Sequence, residues 1–355
     1  MRELIRVLCM YSVLTLSNMS RRARILVVGS GGIGTIAALN LHVGGACHVT
    51  MVLRSSYQKV LEDGFSIDSF DHGKLEGWKP DSILPGVPSV FTDDQAQWFD
   101  FVVCATKNLP DASPTLQIIK PAITPGHTNI VLLQNGLNIE TTFLQHFPTN
   151  MILSGISYTS SHETSSGVIV QSHPDDLIIG AFAHHDNHNL SGGNETARTF
   201  VDLYGIAGKT NCTFTQCTQR ERWRKLIYNA TFNPVCAILN ADTGDLRQWQ
   251  AIDDLVRPAM QEIVSVANVK GYTFTANIVD ETIAMDEACG ASRPSMSYDV
   301  AKGNLIEVEI LLGEVVREGD ECDVPVPTLR CLYHLCKAIQ LRTLHKHQTK
   351  DMISS

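Results

Sequence analysis

The chain has 355 residues, of which 44% are hydrophobic and 18% charged, and its formal net charge is −9. This length is sufficient for two domains with their own cores. The acidic balance argues against a nucleic-acid-binding protein, which normally presents a basic face. No apolar run approaches the roughly 20 residues that are needed to span a bilayer.

The N-terminal segment, residues 1–23, is predicted to be a disordered or mis-assigned extension, because the first strand pattern begins only at Arg24. The apolar run Leu8–Leu16 lies among arginines. This composition is also compatible with a weak mitochondrial targeting segment, a poor signal peptide, or a translation extension with Met19 as the working start.

The ten cysteines are scattered, without a CxxC pair and without the Cys/His spacing of a metal site. Cys104 and Cys236 lie inside apolar runs, where a free thiol packs as a small hydrophobic side chain. We therefore expect no disulfide framework, no metal, and a reducing, cytoplasmic compartment. A mitochondrial location is the alternative if the N-terminal segment is a targeting signal.

A dinucleotide-binding pattern opens the folded region. The apolar run Arg24–Val28 is typical of a buried parallel strand, and a helical stretch follows at Thr35–Val43. Between them stands the loop Gly29-Ser30-Gly31-Gly32-Ile33-Gly34. It matches G-x-G-x-x-G in the strand–helix context that the motif requires. Such glycines let the backbone approach a pyrophosphate at the helix N-terminus; the alternative is a glycine-rich turn without a ligand.

The second strand, Cys47–Leu53, is followed by Arg54-Ser55-Ser56. Sites specific for NAD usually carry Asp or Glu here, to bond the ribose 2′-hydroxyl. A cation with hydroxyl groups suits a 2′-phosphate, so Arg54 predicts NADP(H) rather than NAD(H). The alternative is an exposed arginine at a strand end.

Two further buried strands are predicted at Asp100–Lys107 and Asn129–Gly136, and each ends in polar residues. Ligands of an open parallel sheet lie beyond the carboxyl ends of its strands. We therefore expect Thr106, Lys107 and Asn135 on the rim that carries the glycine loop.

The region after these strands has turns rather than helices between its apolar runs, which predicts an antiparallel extension of the sheet. A polar loop, a helix and a last strand should then complete the first domain. These elements are Ile152–Ser157, Val168–Gln171, Leu177–Ile179, the loop His184–Gly193, the helix Glu195–Tyr204 and the strand Thr213–Phe214. Residues 60–98 are less regular.

From about Arg220 the apolar spacing becomes helical, which predicts an all-α second domain. Its predicted helices are Arg222–Pro234, Leu246–Val269, Ala276–Ala288, Met296–Val316 and Cys331–His345. The predicted fold is thus α/β, with an N-terminal Rossmann-type doubly wound sheet and a helical C-terminal domain. Its predicted parts are an extension at 1–23, an NADP-binding domain at 24–218, a substrate and catalytic domain at 219–345, and a tail at 346–355.

Three polar residues with four-residue spacing interrupt the apolar helix Arg222–Pro234. Lys225, Asn229 and Asn233 should stack on one face of it. Buried polar groups require partners, so either a satisfied internal network or a polar ligand must meet this row. Pro234 cannot donate to the carbonyl of Ala230, so the helix should kink or loosen there.

These motifs together resemble the ketopantoate reductase family (2-dehydropantoate 2-reductases), and a fungal member is expected. The resemblance extends over nearly all of residues 24–345. It rests on Gly29-x-Gly31-x-x-Gly34, Thr106-Lys107, Gln134-Asn135-Gly136, Trp223-x-Lys225-Leu226-x-x-Asn229-x-x-x-Asn233-Pro234, and Arg293-Pro294-Ser295-Met296-x-x-Asp299 with Glu307. The last two segments are the most specific.

The resemblance implies that the chain reduces 2-dehydropantoate to (R)-pantoate with NADPH, on the route to pantothenate and coenzyme A. It implies that Lys225 is the general acid and Glu307 a catalytic or substrate-holding carboxylate. It implies substrate binding by Asn135, Asn229, Asn233 and Ser295, and it places Lys107 near the nicotinamide. Without the resemblance, Glu307 would be read as an exposed helix carboxylate.

Other functions stay open at this point. Thr243 stands where bacterial members often have a substrate-contacting asparagine, so a different 2-oxo acid, used in secondary metabolism, is one alternative. A non-catalytic NADP(H)-binding sensor is another, although a sensor has no need for the five polar residues of the proposed substrate site. We expect a small-molecule substrate and neither a nucleic acid nor a membrane as a partner, and the apolar helical domain is compatible with a homodimer.

Overall fold

The structure is a computed structural model. It describes residues 21–90, 94–110, 115–182 and 190–354. The predictions for residues 1–20 and for 184–189 of the polar loop lie outside these ranges. No helix within them is long and apolar enough to cross a membrane.

Contacts within the chain define two compact units. Two short segments from the N-terminal half belong to the second unit. Unit 1 consists of Met1–Thr106, Thr115–Gln134 and Glu140–Thr218, and unit 2 of Lys107–Pro114, Asn135–Ile139 and Gln219–Ser355.

Unit 1 is built on an eight-stranded sheet with the order β12-β11-β8-β7-β6-β1-β2-β5. Its strands are β1 (Ala23–Val28), β2 (Cys47–Val52), β5 (Ser82–Leu84), β6 (Phe101–Cys104), β7 (Asn129–Leu132), β8 (Ile152–Ser157), β11 (Asp176–Ala181) and β12 (Asn211–Phe214). Six neighbouring strands are parallel to one another, namely β5, β2, β1, β6, β7 and β8 in their order across the sheet. Strand β11 runs antiparallel to β8. The Rossmann-type sheet with an antiparallel extension is therefore confirmed.

Of the three strands predicted for the antiparallel extension, only Leu177–Ile179 runs antiparallel to its neighbour in the large sheet. Ile152–Ser157 pairs in parallel with β7, because the short helix Thr141–His146 provides the crossover that parallel neighbours require. Val168–Gln171 is β10 and lies in a separate four-stranded sheet of order β4-β3-β10-β9. The other strands of this second sheet are β3 (Phe65–Ser69), β4 (Gly73–Trp78) and β9 (Ser161–Ser165).

The five central strands of the large sheet, β1, β2, β6, β7 and β8, are buried almost throughout, as strands covered on both faces are. Ile25, Val27 and Val103 are fully buried in the core of this unit. The helices of unit 1 are α1 (Gly32–Val43), α2 (Tyr57–Asp63), α3 (Thr115–Ile119), α4 (Thr141–His146) and α5 (Leu190–Gly205). Helix α5 starts inside the predicted polar loop, so that prediction is wrong for its last four residues.

The end of the predicted N-terminal extension belongs to the fold. Arg21 donates hydrogen bonds to Asp100 at 2.8 and 2.9 Å. Arg22 forms an ion pair of 2.9 Å with Asp81. These pairs attach the chain to the sheet just before β1, so the predicted disorder is wrong for the described residues of that segment.

Unit 2 is helical, as the sequence predicts. Its helices are α6 (Thr218–Asn229), α7 (Phe232–Leu239), α8 (Thr243–Gln248), α9 (Arg257–Val269), α10 (Ile278–Ala288), α11 (Ser295–Lys302), α12 (Glu314–Glu321) and α13 (Pro327–Ser354). Helices α9 and α12 are each preceded by a π-helical turn, at Ile252–Val256 and Glu309–Gly313 respectively.

Three predicted helices are interrupted. Left-handed residues break two of them, Gln250 (φ 60°) between α8 and α9 and Gly303 (φ 71°) at the end of α11. The predicted helix Arg222–Pro234 ends at Asn229, and the chain turns at Ala230 and Thr231 before α7 begins. Pro234 is thus in the first turn of a new helix, where its missing N–H breaks no intrahelical bond.

Candidate functional site

The glycines of the loop after β1 differ in how closely the protein packs against them. Gly29 has φ 111°, and a Cβ atom there would lie 2.6 Å from the backbone of Ala105 and Thr106. A Cβ atom on Gly34 would lie 1.8 Å from the carbonyl oxygen of Gly29. At Gly31, in contrast, a Cβ atom would meet nothing within 4 Å. The loop is therefore tightly packed on its protein side and open at Gly31.

The open side of this loop suits an anion. Helix α1 begins after Gly31, which provides no side-chain cap, and its first turn has no acidic residue. The unpaired N–H groups and the helix dipole favour negative charge there. These residues fit a dinucleotide pyrophosphate. Ser30, Gly32 and Ile33 complete the loop, and strand β9 approaches Gly32 so closely that a Cβ atom would lie 2.3 Å from Ser161.

The remaining cofactor candidates of unit 1 lie at strand ends. Arg54 is exposed immediately after β2. Thr106 follows β6, and its hydroxyl and carbonyl oxygens accept hydrogen bonds of 3.1 and 2.9 Å from the amide of Gln134. Gln134 also donates to the Thr115 hydroxyl at 2.8 Å. These contacts connect the ends of β6 and β7 to the start of α3.

Unit 2 brings together three of the predicted site residues. The Lys225 ammonium donates to Oδ1 of Asn135 at 2.8 Å. The Nδ2 group of Asn135 lies 3.4 Å from Oε2 of Glu307. The backbone N–H of Asn108 donates to the other carboxylate oxygen at 2.9 Å. A cation, an amide and a carboxylate therefore form one connected row.

Burial shifts the pKa values of both charged ends of this row. Burial and the neighbouring Arg222 lower the pKa of Lys225 to about 7, against the opposing effect of Glu307. Burial raises the pKa of Glu307, although the hydrogen bonds from Asn108 and Asn135 oppose this change. An ammonium with a pKa near neutrality can donate a proton readily at physiological pH.

Lys107 is close enough to Glu307 to act on its charge. Its ammonium forms an ion pair with Asp299 and lies 3.4 Å from the carbonyl oxygen of Leu305. Its positive charge opposes the rise in the pKa of Glu307. Within unit 2, Lys107 is thus a neighbour of the carboxylate that the sequence predicts to hold substrate.

The other predicted substrate ligands are less constrained. Asn229 is half-buried at the end of α6, and Ser295 is exposed as the first residue of α11. Asn233 is 2% exposed in the first turn of α7. In the part of the chain that the structure describes, no hydrogen bond joins the amide of Asn233 to another side chain. Because the helix breaks at Thr231, the three-residue stack predicted for one continuous helix is wrong.

Two contributors to this site are absent from the sequence prediction. Arg222 is 3% exposed and donates to the carbonyl oxygen of Gly136 at 2.8 Å. Asn108 contributes through its backbone, which no side-chain pattern reveals. Arg222 did carry a signal, because an arginine three residues before Lys225 falls on the same face of the apolar helix.

Thr243 has a structural role. Its side chain is fully buried, and its hydroxyl accepts a hydrogen bond of 3.1 Å from the Ser292 N–H. The Thr243 N–H in turn donates to the Ser292 carbonyl at 2.9 Å. These bonds attach the start of α8 to the segment that precedes Ser295.

Comparisons with known proteins agree with this architecture. The family model "Ketopantoate reductase PanE/ApbA" matches residues 25–184, and "Ketopantoate reductase PanE/ApbA C terminal" matches residues 218–340. The uncharacterized protein YDL144C of Saccharomyces cerevisiae is 33% identical over 343 residues, covering 90% of this chain and 94% of that protein. The 2-dehydropantoate 2-reductase of Nostoc sp. is 26% identical over 329 residues, covering 92% and 98%.

A solved structure shows the same relationship. The crystal structure of 2-dehydropantoate 2-reductase from Methylococcus capsulatus matches with a TM-score of 0.76 and 28% identity, over 90% of this chain and 97% of that one. The Rossmann-type unit, its glycine loop and the helical unit define an oxidoreductase of the dinucleotide-dependent class. The two family models together cover most of the chain. The chain belongs to the ketopantoate reductase family.

Proposed function

We propose that this protein reduces a 2-oxo acid with NADPH, and that 2-dehydropantoate is its substrate, giving (R)-pantoate for pantothenate and coenzyme A synthesis. The observation that carries this proposal is the row Lys225–Asn135–Glu307 in unit 2 of a chain of this family. The relatives named 2-dehydropantoate 2-reductase support the choice of substrate.

The cofactor assignment rests on unit 1 of the fold. We propose that the open side of the loop at Gly31 receives the pyrophosphate and that Arg54 binds the 2′-phosphate. When bound, NADPH supplies a hydride to the ketone carbon of the substrate. We assign unit 1 to cofactor binding and unit 2 to substrate binding and proton transfer.

Lys225 provides the proton in this mechanism. As the ketone is reduced, negative charge grows on its oxygen, and a nearby ammonium stabilises that charge and then protonates it. The lowered pKa of Lys225 reduces the free energy needed for this transfer. Asn135 fixes the direction of the ammonium by accepting one of its N–H groups.

The substrate ligands follow from chemistry and placement. Glu307 accepts a hydrogen bond from the substrate hydroxyl when it is ionised. The amide groups of Asn229 and Asn233 and the hydroxyl of Ser295 donate to the substrate carboxylate and hydroxyl. We assign the amide of Asn233 to the substrate because it is buried in the first turn of α7, beside the end of α6.

The deciding experiment compares Lys225→Ala with Arg224→Ala in an assay of NADPH oxidation with 2-dehydropantoate. Arg224 is exposed on the same helix and provides the matched control. Loss of a general acid should lower kcat by roughly 10²–10⁴-fold, while the control keeps wild-type kcat. An undiminished kcat in Lys225→Ala would remove the residue from the mechanism.

A different 2-oxo acid remains the second candidate, and one observation favours it. Thr243, at the position where bacterial members often carry a substrate-contacting asparagine, is fully buried against Ser292 and presents no amide to a ligand. Comparing kcat/KM over a panel of 2-oxo acids separates the two. If another 2-oxo acid gave a higher kcat/KM than 2-dehydropantoate, that compound would be the substrate of the proposed mechanism.

A further inference from the structure

Arg222 is a buried cation whose position the proposed reaction does not itself require. It precedes Lys225 by three residues on α6, so the two side chains leave the same face of the helix. Its guanidinium donates to the Gly136 carbonyl oxygen at 2.8 Å. A buried guanidinium is retained where planar, directed hydrogen bonding is needed.

The peptide that Arg222 contacts is also fixed from the other side. Gly136 has φ 104°, and a Cβ atom there would lie 2.6 Å from the Cβ atom of Ile310. The N–H group of Leu137 donates to the Ile310 carbonyl oxygen at 3.1 Å. The turn at Gly136 is therefore held between α6 and the π turn that follows Glu307.

This turn determines where Asn135 points. Asn135 immediately precedes Gly136, and its amide lies between the ammonium of Lys225 and the carboxylate of Glu307. Rotation of the Gly136 peptide would carry that amide away from both groups. A misplacement of about 1 Å is enough to lower a reaction rate on the order of 100-fold.

We propose that Arg222 is a positioning residue for the reduction: through the Gly136 carbonyl it holds Asn135 in line with Lys225 and Glu307, and its charge keeps Lys225 a ready proton donor. This inference rests on the proposed function, in which Lys225 is the general acid. It adds a residue that acts through others and touches neither substrate nor cofactor.

The electrostatic half of the proposal follows from the groups around Lys225. Burial is the main cause of its lowered pKa, and the positive charge of Arg222 lowers it further. Glu307 acts in the opposite direction. Lys107 and Asp299 act on Glu307, with opposite signs. Removing the charge of Arg222 should therefore raise the pKa of Lys225.

The test uses two substitutions that separate charge from geometry. Arg222→Lys retains the charge but lacks the planar fork of the guanidinium and has a shorter reach. Arg222→Gln removes the charge and, because its side chain is shorter still, the hydrogen bond to Gly136 as well, so its difference from the Lys variant reports the charge. For each, the pKa of Lys225 is measured by competitive acetylation over a pH series with mass spectrometry, using the exposed Lys59 of unit 1 as the internal reference, alongside the pH profile of kcat/KM.

We expect the Gln variant to raise the pKa of Lys225 by about one unit and to move the alkaline limb of kcat/KM upward with it. The Lys variant should keep the wild-type pKa but lose about tenfold in kcat, because Asn135 is less firmly held. An unmoved pKa in the Gln variant overturns the electrostatic role. A wild-type kcat in the Lys variant overturns the positioning role. The Lys variant tests that role even if the Gln variant does not fold.

The labelling measurement also distinguishes this inference from the proposed function. If wild-type protein turned over no 2-oxo acid, the proposed function would fail, yet the acetylation series would still report whether Arg222 controls the pKa of Lys225. If turnover is normal but neither variant moves the pKa or kcat, Arg222 is a structural residue only and the inference is wrong.

Discussion

The ammonium group of Lys225 donates to the Oδ1 atom of Asn135 over 2.8 Å, and the other end of the same amide faces Glu307. A neutral side chain thus connects the proposed proton donor to the proposed substrate-holding carboxylate. Because an amide has a fixed donor end and a fixed acceptor end, it orders the two charged groups without titrating itself. The charge states of Lys225 and Glu307 should therefore govern the pH dependence of the reaction.

The first prediction concerns that pH dependence. Lys225 must be protonated to act as an acid, so kcat/KM should fall tenfold per pH unit above its pKa of about 7. Glu307→Gln removes the negative charge that raises this pKa, so the alkaline limb should move to lower pH. Initial rates of NADPH oxidation across the pH range check both statements. A limb that stays in place in the Gln variant contradicts the coupling.

The second prediction compares two buried asparagines. Asn233 is 2% exposed and bonds no described side chain, whereas Asn40 is 1% exposed and bonds Asp175 at 2.8 Å and His72 at 2.6 Å. Asn233→Ala should raise KM for the 2-oxo acid by roughly tenfold and leave Tm within about 2 °C.

Asn40→Ala is the matched control for that experiment. It leaves Asp175 with fewer hydrogen-bond partners, which costs about 1–3 kcal/mol, so Tm should fall by several degrees. Its KM for the substrate should not change. If Asn233→Ala lowered Tm as much as Asn40→Ala and left KM alone, Asn233 would be a structural residue.

The third prediction separates two glycines of the loop. In Gly31→Ala the added methyl group would lie within 4 Å of no protein atom, so the Tm of the protein should not change. The methyl group would, however, enter the space proposed for the pyrophosphate. Overpacking of about 1–3 kcal/mol corresponds to roughly a 10–100-fold weaker NADPH affinity. Gly34→Ala places a Cβ atom 1.8 Å from the Gly29 carbonyl oxygen, so it should lower Tm as well.

Titration calorimetry with NADPH and thermal unfolding measure these effects. Equal NADPH affinity in Gly31→Ala and wild type would show that the pyrophosphate does not lie beside Gly31. A Gly34→Ala protein of unchanged Tm would show that α1 can move away from β1 without loss.

The fourth prediction tests the choice of cofactor. Arg54 is exposed after β2, where a 2′-phosphate of NADPH would lie. Arg54→Gln removes charge-assisted bonds of about 1.5–3 kcal/mol, so the NADPH/NADH ratio of kcat/KM should fall by roughly 10–100-fold. Lys59→Gln, an exposed cation of the following helix, is the control and should leave the ratio unchanged. A ratio that Arg54→Gln does not alter removes Arg54 from the phosphate site.

The sequence predicted the parts of this fold that are encoded by neighbouring residues. The strands β1, β2 and β6 are short apolar runs because they are buried on both faces. Such runs can be recognised in the sequence without knowing which tertiary contacts the strands make. The second sheet was missed because β4 is largely exposed, and its sequence Gly73–Trp78 shows no apolar alternation. Exposed strands leave little signal of this kind.

The site was predicted unevenly for a similar reason. Residue spacing indicated Lys225, and only the family resemblance indicated Glu307. Asn108 and Glu307 are 199 residues apart, and no local pattern reports such a contact. The helix predicted through Met296–Val316 also concealed the surroundings of Glu307. Gly303 ends α11, so Glu307 lies in a non-helical segment, where its carboxylate is free to reach backbone N–H groups.

The π turn at Glu309–Gly313, just after Glu307, has a consequence for how this protein tolerates changes in length. A π turn accommodates one residue more than an α-helical turn. Deleting one residue within it would restore regular α-helical pairing and rotate the preceding chain by about 100° around the helix axis. Glu307 would then turn away from Asn135 even though every side chain of the row was still present. The site therefore depends on the helical register at the π turn as well as on the residues that form the row.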